Sequence, residues 1–120
     1  MKPLHWIGSS KKDLVALPDE VQAEVGHTLY LVQEGDTPDN VKPLKGFGGA
    51  GVLEAIESHD GNAYRAVYTV KFEEAVYVLH CFQKKSKSGI ATPKQDLDLV
   101  KARLRDAEQE HERWKKTKRP

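Results

Sequence analysis

Residues 63–84 read AYRAVYTVKFEEAVYVLHCFQK, two valine- and tyrosine-rich runs around a short polar break. β-Branched and aromatic side chains suit a pleated, half-buried surface. Residues 63–71 and 75–84 are therefore expected as strands, with FEEA at 72–75 as the turn between them. If Glu73 and Glu74 centre that turn, Val67 faces His80 and Arg65 faces Phe82. Side-chain alternation then places Arg65, Val67, Thr69, Val78, His80, Phe82 and Lys84 on one side of the sheet. Tyr64, Ala66, Tyr68, Val70, Tyr77, Leu79 and Cys81 fall on the other, which reads as the floor of the main core. The first side mixes cations with apolar residues. Buried unpaired cations are costly, so that side is expected to be an open groove.

The elements to either side follow from local signals. HDGN at 59–62 contains Asp-Gly, a hairpin signal, and predicts a further strand over 52–57 before it. DTPDNVKPLKGFGGAG at 36–51 reads as a loop. Its glycines lack the Lys-Ser/Thr pair and following helix of a phosphate-cradling loop, so a flexible connection is the better account. At the N-terminus, PLHWI at 3–7 suits a short strand. Ser9 and Ser10 with Asp13 fit an N-cap opening a helix through Leu17. Pro18 cannot continue that helix but suits the start of the next. Val21, Val25, Leu29 and Val32 recur at helical spacing until Gly35 ends it. Pro93 opens a last helix on which Leu97, Val100, Leu104 and Ala107 form an apolar stripe, running to about Trp114. The order is βααβββα. It implies an α+β domain spanning 1–120, with a mostly antiparallel four-stranded sheet, an N-terminal helical hairpin, a C-terminal helix and a frayed basic tail over 115–120.

The 120 residues are 38% hydrophobic and 31% charged, which excludes a disordered chain, and no stretch is long and apolar enough for a membrane span. The N-terminus has no signal core, and Cys81 has no second cysteine to pair with. A cytoplasmic protein is expected. The net charge of +1 argues against indiscriminate coating of nucleic acid. It conceals a gradient: residues 1–42 carry four Lys/Arg and seven Asp/Glu, whereas residues 94–120 carry nine and six. One local anion-binding face is compatible with that distribution.

Lys84, Lys85 and Lys87 follow the last strand, and Lys94 lies just past Pro93. Alone they read as solvated lysines. Arg65 sits mid-strand among Ala63, Tyr64, Ala66 and Val67, and so needs a partner. Glu54 or Glu57 on the adjacent strand would serve, and so would an RNA phosphate. The five histidines have no metal-ligand spacing and one cysteine supplies no zinc knuckle, so neither a metal nor another cofactor is expected. Cys81, on the core side, reads as a buried thiol.

AYRAVYTV, then VYVLHCFQKKSKSGIATPK, then an amphipathic helix resembles the RelE/HigB toxin superfamily, closest to its phage-associated HigB-like branch. KPLKGFGGAGVLE and the helical hairpin SSKKDLVALPDEVQAEVGHTLYLVQEG fit the same branch. The resemblance implies a RelE-like fold and a toxin of a type II toxin–antitoxin pair. Such a toxin is a metal-independent endoribonuclease that cuts messenger RNA on the ribosome, neutralised by a helix-turn-helix antitoxin. It also allows a non-nucleolytic, gyrase-directed relative, or an inactive RNA-binding or antitoxin-docking module. By position, Arg65 matches the arginine that contacts the scissile phosphate, and Lys84 and Lys85 match the basic residues after the last strand, either of which would be the catalytic proton-transfer group or electrostatic stabiliser. Lys87 and Lys94 would contact the RNA backbone. Where RelE-type members carry lysines this chain has Glu57, Ser58 and His59. His59 and His80 are the alternative proton carriers, since an imidazole titrates near neutrality without tuning.

Overall fold

A computed structural model describes residues 1–84 and 92–118 of the chain. The elements are β1 (Leu4–Trp6), α1 (Ser10–Val15), α2 (Asp19–Gln33), β2 (Val41–Pro43), β3 (Val52–His59), β4 (Asn62–Thr69), β5 (Val76–Lys84) and α3 (Lys94–Thr117). The α+β class holds, but the sheet has five strands in the order β1-β5-β4-β3-β2 and is mixed rather than four-stranded. β1 pairs parallel to β5, with His5 beside Tyr77. β2 lies inside the segment expected as loop and pairs antiparallel to β3, with Lys42 opposite Glu54. A strand this short carries no periodicity; its ladder partner makes it. α3 continues to Thr117, past the expected end at Trp114.

The two hairpins carry the fold. β3 and β4 close through Asp60 and Gly61, at φ of 50° and 78°, as an Asp-Gly turn with two left-handed residues requires. In the β4–β5 pair, Arg65 faces Phe82 and Val67 faces His80, as expected, but Tyr68 faces Val78 and Thr69 faces Tyr77. Leu79 is the extra residue of a β-bulge. A bulge reverses the facing of everything on one side of it. Tyr77 and Leu79 therefore leave the expected core floor and Val78 joins it. The Leu79 carbonyl accepts a 2.9 Å hydrogen bond from Arg103 Nη1 on α3, so the irregular backbone is satisfied by the helix it meets. Arg103 also donates to Ser9 Oγ at 2.9 Å. It crosses Gly8 so closely that a Cβ there would lie 2.9 Å from its Nε.

Each face of the sheet has its own apolar layer. On one, Val21, Val25, Leu29 and Val32 of α2 and Leu14 of α1 cover Ala55, Ala66, Tyr68 and Val78. On the other, Val100 and Ala107 of α3 pack on Val67, Tyr77, Leu79 and Phe82, with Leu97 and Leu104 at the edge. The second face is the one that carries Arg65. It is roofed by α3 and is not the open groove the sequence suggests. Burying an apolar stripe of that length outweighs leaving the face wet, and the polar residues beneath it are carried inside. No helix among the described residues is long and apolar enough to cross a membrane.

Candidate functional site

Arg65 stands in mid-β4 between Ile56 of β3 and Phe82 of β5. Glu54 pairs with Val67, which makes it the diagonal neighbour of Arg65 on the same face, within reach of a long side chain. The Arg65 Nε lies 3.9 Å from Glu54 Oε2, and Lys42 Nζ lies 3.6 Å from Glu54 Oε1. Thr92 Oγ1 donates to Glu54 Oε2 at 3.4 Å. Close charge-assisted bonds run about 2.7–2.9 Å, so this carboxylate is held loosely by all three. Yet it is only 3% exposed, and Arg65 only 9%. Arg65 Nη1 donates to the Tyr64 carbonyl at 2.9 Å, while its Nε finds no hydrogen-bond partner among the described residues. Glu57, the other candidate partner, is on the α2 face. Asn40 Nδ2 donates to it at 2.6 Å, and burial raises its pKa.

Lys84 closes β5 opposite Ala63, on the Arg65 face, and is buried. Its pKa is lowered, first by loss of solvent and then by the neighbouring Arg65 guanidinium, with Glu54 pulling the other way. An amine so placed can give up its proton more readily than a surface lysine. Beside the carboxylate lies a cavity of about 150 Å3. Leu44, Glu54 and Thr92 form its buried wall, Leu97 of α3 lines it further, and exposed Lys42 and Lys45 stand at its rim.

The other expected site residues are placed differently. His80 stacks on Phe82 at 4.5 Å, and its Nε2 is 2.7 Å from Asp96 Oδ1 on α3. It shares the Arg65 face but is tied to the roof. His59 is on the opposite face, 2.8 Å from Glu20 Oε2 of α2 and 3.3 Å from Asp60 Oδ2. The structure does not bring it to Arg65. Lys94 is 88% exposed and pairs with Asp98 one helical turn on, at 3.0 Å. Lys85 and Lys87 lie outside the described residues. Sequence reasoning treated Glu54 only as a possible partner and missed Lys42, Lys45 and Thr92. The lysines of KPLKG were the available signal, but only β2 pairing puts Lys42 against Glu54.

A second polar cluster occupies the far end of the same face. Tyr77 Oη and His111 Nδ1 are 3.0 Å apart, and His111 Nε2 is 3.0 Å from Glu74 Oε1. The imidazole is 3% exposed and packs at 4.3 Å on Phe72. Burial pushes the Tyr77 hydroxyl up to about 12, and the His111 hydrogen bond holds the Glu74 carboxyl below its ordinary range. On the other face, burial pushes the Cys81 thiol up to about 12, which leaves it protonated and unreactive at neutral pH.

This arrangement, a five-stranded sheet with a helical hairpin on one face and a long C-terminal helix on the other, is similar in fold to the solved structure of a double arginine-to-alanine mutant of the Escherichia coli toxin RelE in the free state. The match covers 88% of this chain and 96% of that one, at 18% identity and a TM-score of 0.58. The toxin–antitoxin complex RelBE2 of Mycobacterium tuberculosis is also similar, over 68% of this chain and 96% of that one, at 24% identity and a TM-score of 0.48. No curated protein is significantly similar in sequence. The chain belongs to the family described as phage derived protein Gp49-like (DUF891), whose profile matches residues 12–105.

Proposed function

We propose that the chain is the toxin of a type II toxin–antitoxin pair, acting as one domain in the cytoplasm. In this reading it is a ribosome-dependent, metal-independent messenger RNA endonuclease of the HigB-like branch. The RelE-like fold and the sequence resemblance support it. The observation that carries it is that Arg65, with the buried Lys84 on the same face two positions from its strand partner, meets a buried carboxylate that it does not hold tightly. An RNA phosphate entering here competes with Glu54 for Arg65, and at 3.9 Å that contact is weak enough to yield.

RNA supplies its own nucleophile, the 2′-hydroxyl. The protein must accept its proton, stabilise the crowded phosphorane-like transition state and return a proton to the departing 5′ oxygen. Arg65 stays cationic throughout, and its planar fork matches two phosphate oxygens. Lys84, its pKa lowered by burial and by Arg65, serves as the proton-transfer group. Lys42, Lys45, Lys85, Lys87 and Lys94 contact the RNA backbone. Tied to Asp96, His80 fixes the first turn of α3 over the site rather than moving protons. His59 stands apart. The partners are the ribosome, messenger RNA and a helix-turn-helix antitoxin that restrains the toxin.

Induced expression is expected to arrest growth, with new transcript ends appearing by primer extension. Arg65→Ala should abolish both. Arrest with intact transcripts and damaged DNA would instead identify a gyrase-directed toxin.

A further inference from the structure

We propose that the cavity beside Glu54 seats one nucleobase of the bound RNA, and that it selects cytosine. The pocket rests on the nuclease reading for its RNA, but its geometry is independent of the cleavage step. Three observations point to it. The cavity, at about 150 Å3, has the size of one that accepts a single six-membered ring such as benzene. The second ring of a purine would be left outside it. Leu44 and Leu97 give it apolar walls suited to the faces of a flat heterocycle. Its inner polar groups are the Glu54 carboxylate and the Thr92 hydroxyl, 3% and 9% exposed. The nearest partner of Glu54 among the described residues is 3.4 Å away. A buried carboxylate held this loosely has lone pairs to spare.

The chemistry of that edge discriminates between pyrimidines. Cytosine presents an exocyclic amine, which donates to a carboxylate; uracil presents a carbonyl oxygen at the same position. Uracil sets its O4 acceptor against the carboxylate at that position, and its ring N3–H reaches Glu54 only if the base shifts within the cavity, so the mismatch is costly away from water. Thr92 can donate or accept and so adapts to the remaining ring atoms. Arg65 lies 3.9 Å from the same carboxylate, so a base in the cavity and a phosphate on Arg65 stand next to each other along one strand. Lys42 and Lys45 at the rim offset the repulsion between Glu54 and the RNA backbone.

The test is an NMR titration of the full chain with cytidine 5′-monophosphate, uridine 5′-monophosphate and inorganic phosphate, following the leucine methyls and the Thr92 amide. Cytidine monophosphate should shift Leu44, Leu97 and Thr92, and should bind at least about tenfold more tightly than the uridine nucleotide. Inorganic phosphate should leave those methyls still. Glu54→Gln, which can offer either a donor or an acceptor, should reduce the preference to about twofold or less. Leu97→Phe should fill the cavity and abolish the methyl shifts. Silent methyls with all three probes, or equal binding of the two nucleotides, would overturn the pocket. Transcript ends mapped in parallel keep the two readings apart. Cytidine binding without cleavage retains the pocket and ends the nuclease reading, whereas cleavage with no base bias and silent methyls does the reverse.

Discussion

The two ends of the face beneath α3 both carry buried polar groups, Tyr77 and His111 at one and Glu54, Arg65 and Lys84 at the other, and treat them oppositely. At the far end, Tyr77, His111 and Glu74 form a chain with both links at 3.0 Å. At the near end, Glu54 has three partners among the described residues, at 3.4, 3.6 and 3.9 Å. Among the described residues Arg65 keeps an Nε without a hydrogen-bond partner, and Lys84 sits buried on the same face with its charge disfavoured. One helix roofs both ends, so proximity to α3 does not explain the difference. The far cluster spends its hydrogen bonds on docking the helix. The near cluster leaves them open at the edge of a cavity, and unsatisfied buried groups that a fold tolerates are where ligands are expected.

The sharpest way to break this contrast is Arg65→Ala. Losing a transition-state donor of this kind should reduce cleavage by the folded fraction about 100- to 1,000-fold, measured by primer extension on translated message, and should also lower thermal stability, because the buried Glu54 loses a cation. Arg65→Lys should not restore activity, because a point charge lacks the planar fork.

The far end should respond in the opposite sense. His111→Ala leaves a buried hydroxyl without its partner and opens space against Phe72. It should cost about 2–3 kcal/mol in urea denaturation, while the folded fraction cleaves at the normal rate. A loss of specific activity in folded protein would show that the two ends are not separate.

Lys84→Met sharpens the comparison at the near end by trading function for stability. Removing a buried, poorly paired charge should stabilise the fold by about 1 kcal/mol and abolish most cleavage. The pH dependence follows from the lowered pKa. Between the folded value and the ordinary lysine value the unfolded chain binds more protons, so stability rises with pH through that window. Lys84→Met should remove this rise in denaturation midpoints measured across alkaline pH.

The smallest effect concerns Glu74, whose carboxyl is held low chiefly by His111. Its contribution is complete above the unfolded pKa and disappears as pH falls through the folded one. Glu74→Gln should lower the melting temperature slightly at neutral pH and flatten its decline on the acid side.

Much of the fold was legible because its signals are local. The helical spacing of Val21, Val25, Leu29 and Val32, the Asp-Gly turn and the two long strands each depend on residues close together in the chain. Arg65 faces Phe82 as a turn centred on Glu73 and Glu74 implies, but the strands leave that turn one residue out of register, with Thr69 opposite Tyr77, and the bulge at Leu79 restores it. The facing of Tyr77, Val78 and Leu79 was not legible, because the extra residue at Leu79 is held by Arg103 from 24 positions away.

The candidate site divides along the same line. The lysines beyond the last strand gained an RNA-facing role only from the family resemblance, but the sequence by itself singled out Arg65 as a cation needing a partner. It could do so because a charged residue inside an apolar run is anomalous in any fold. Only the tertiary structure decided that the partner is Glu54 and not Glu57, that Lys84 is buried beside it, and that His59 is on the other side of the sheet. Those outcomes depend on strand register, on a three-residue strand that exists only through its neighbour, and on a helix that folds back over the sheet. They are properties of long-range pairing, which a local pattern of side chains does not encode.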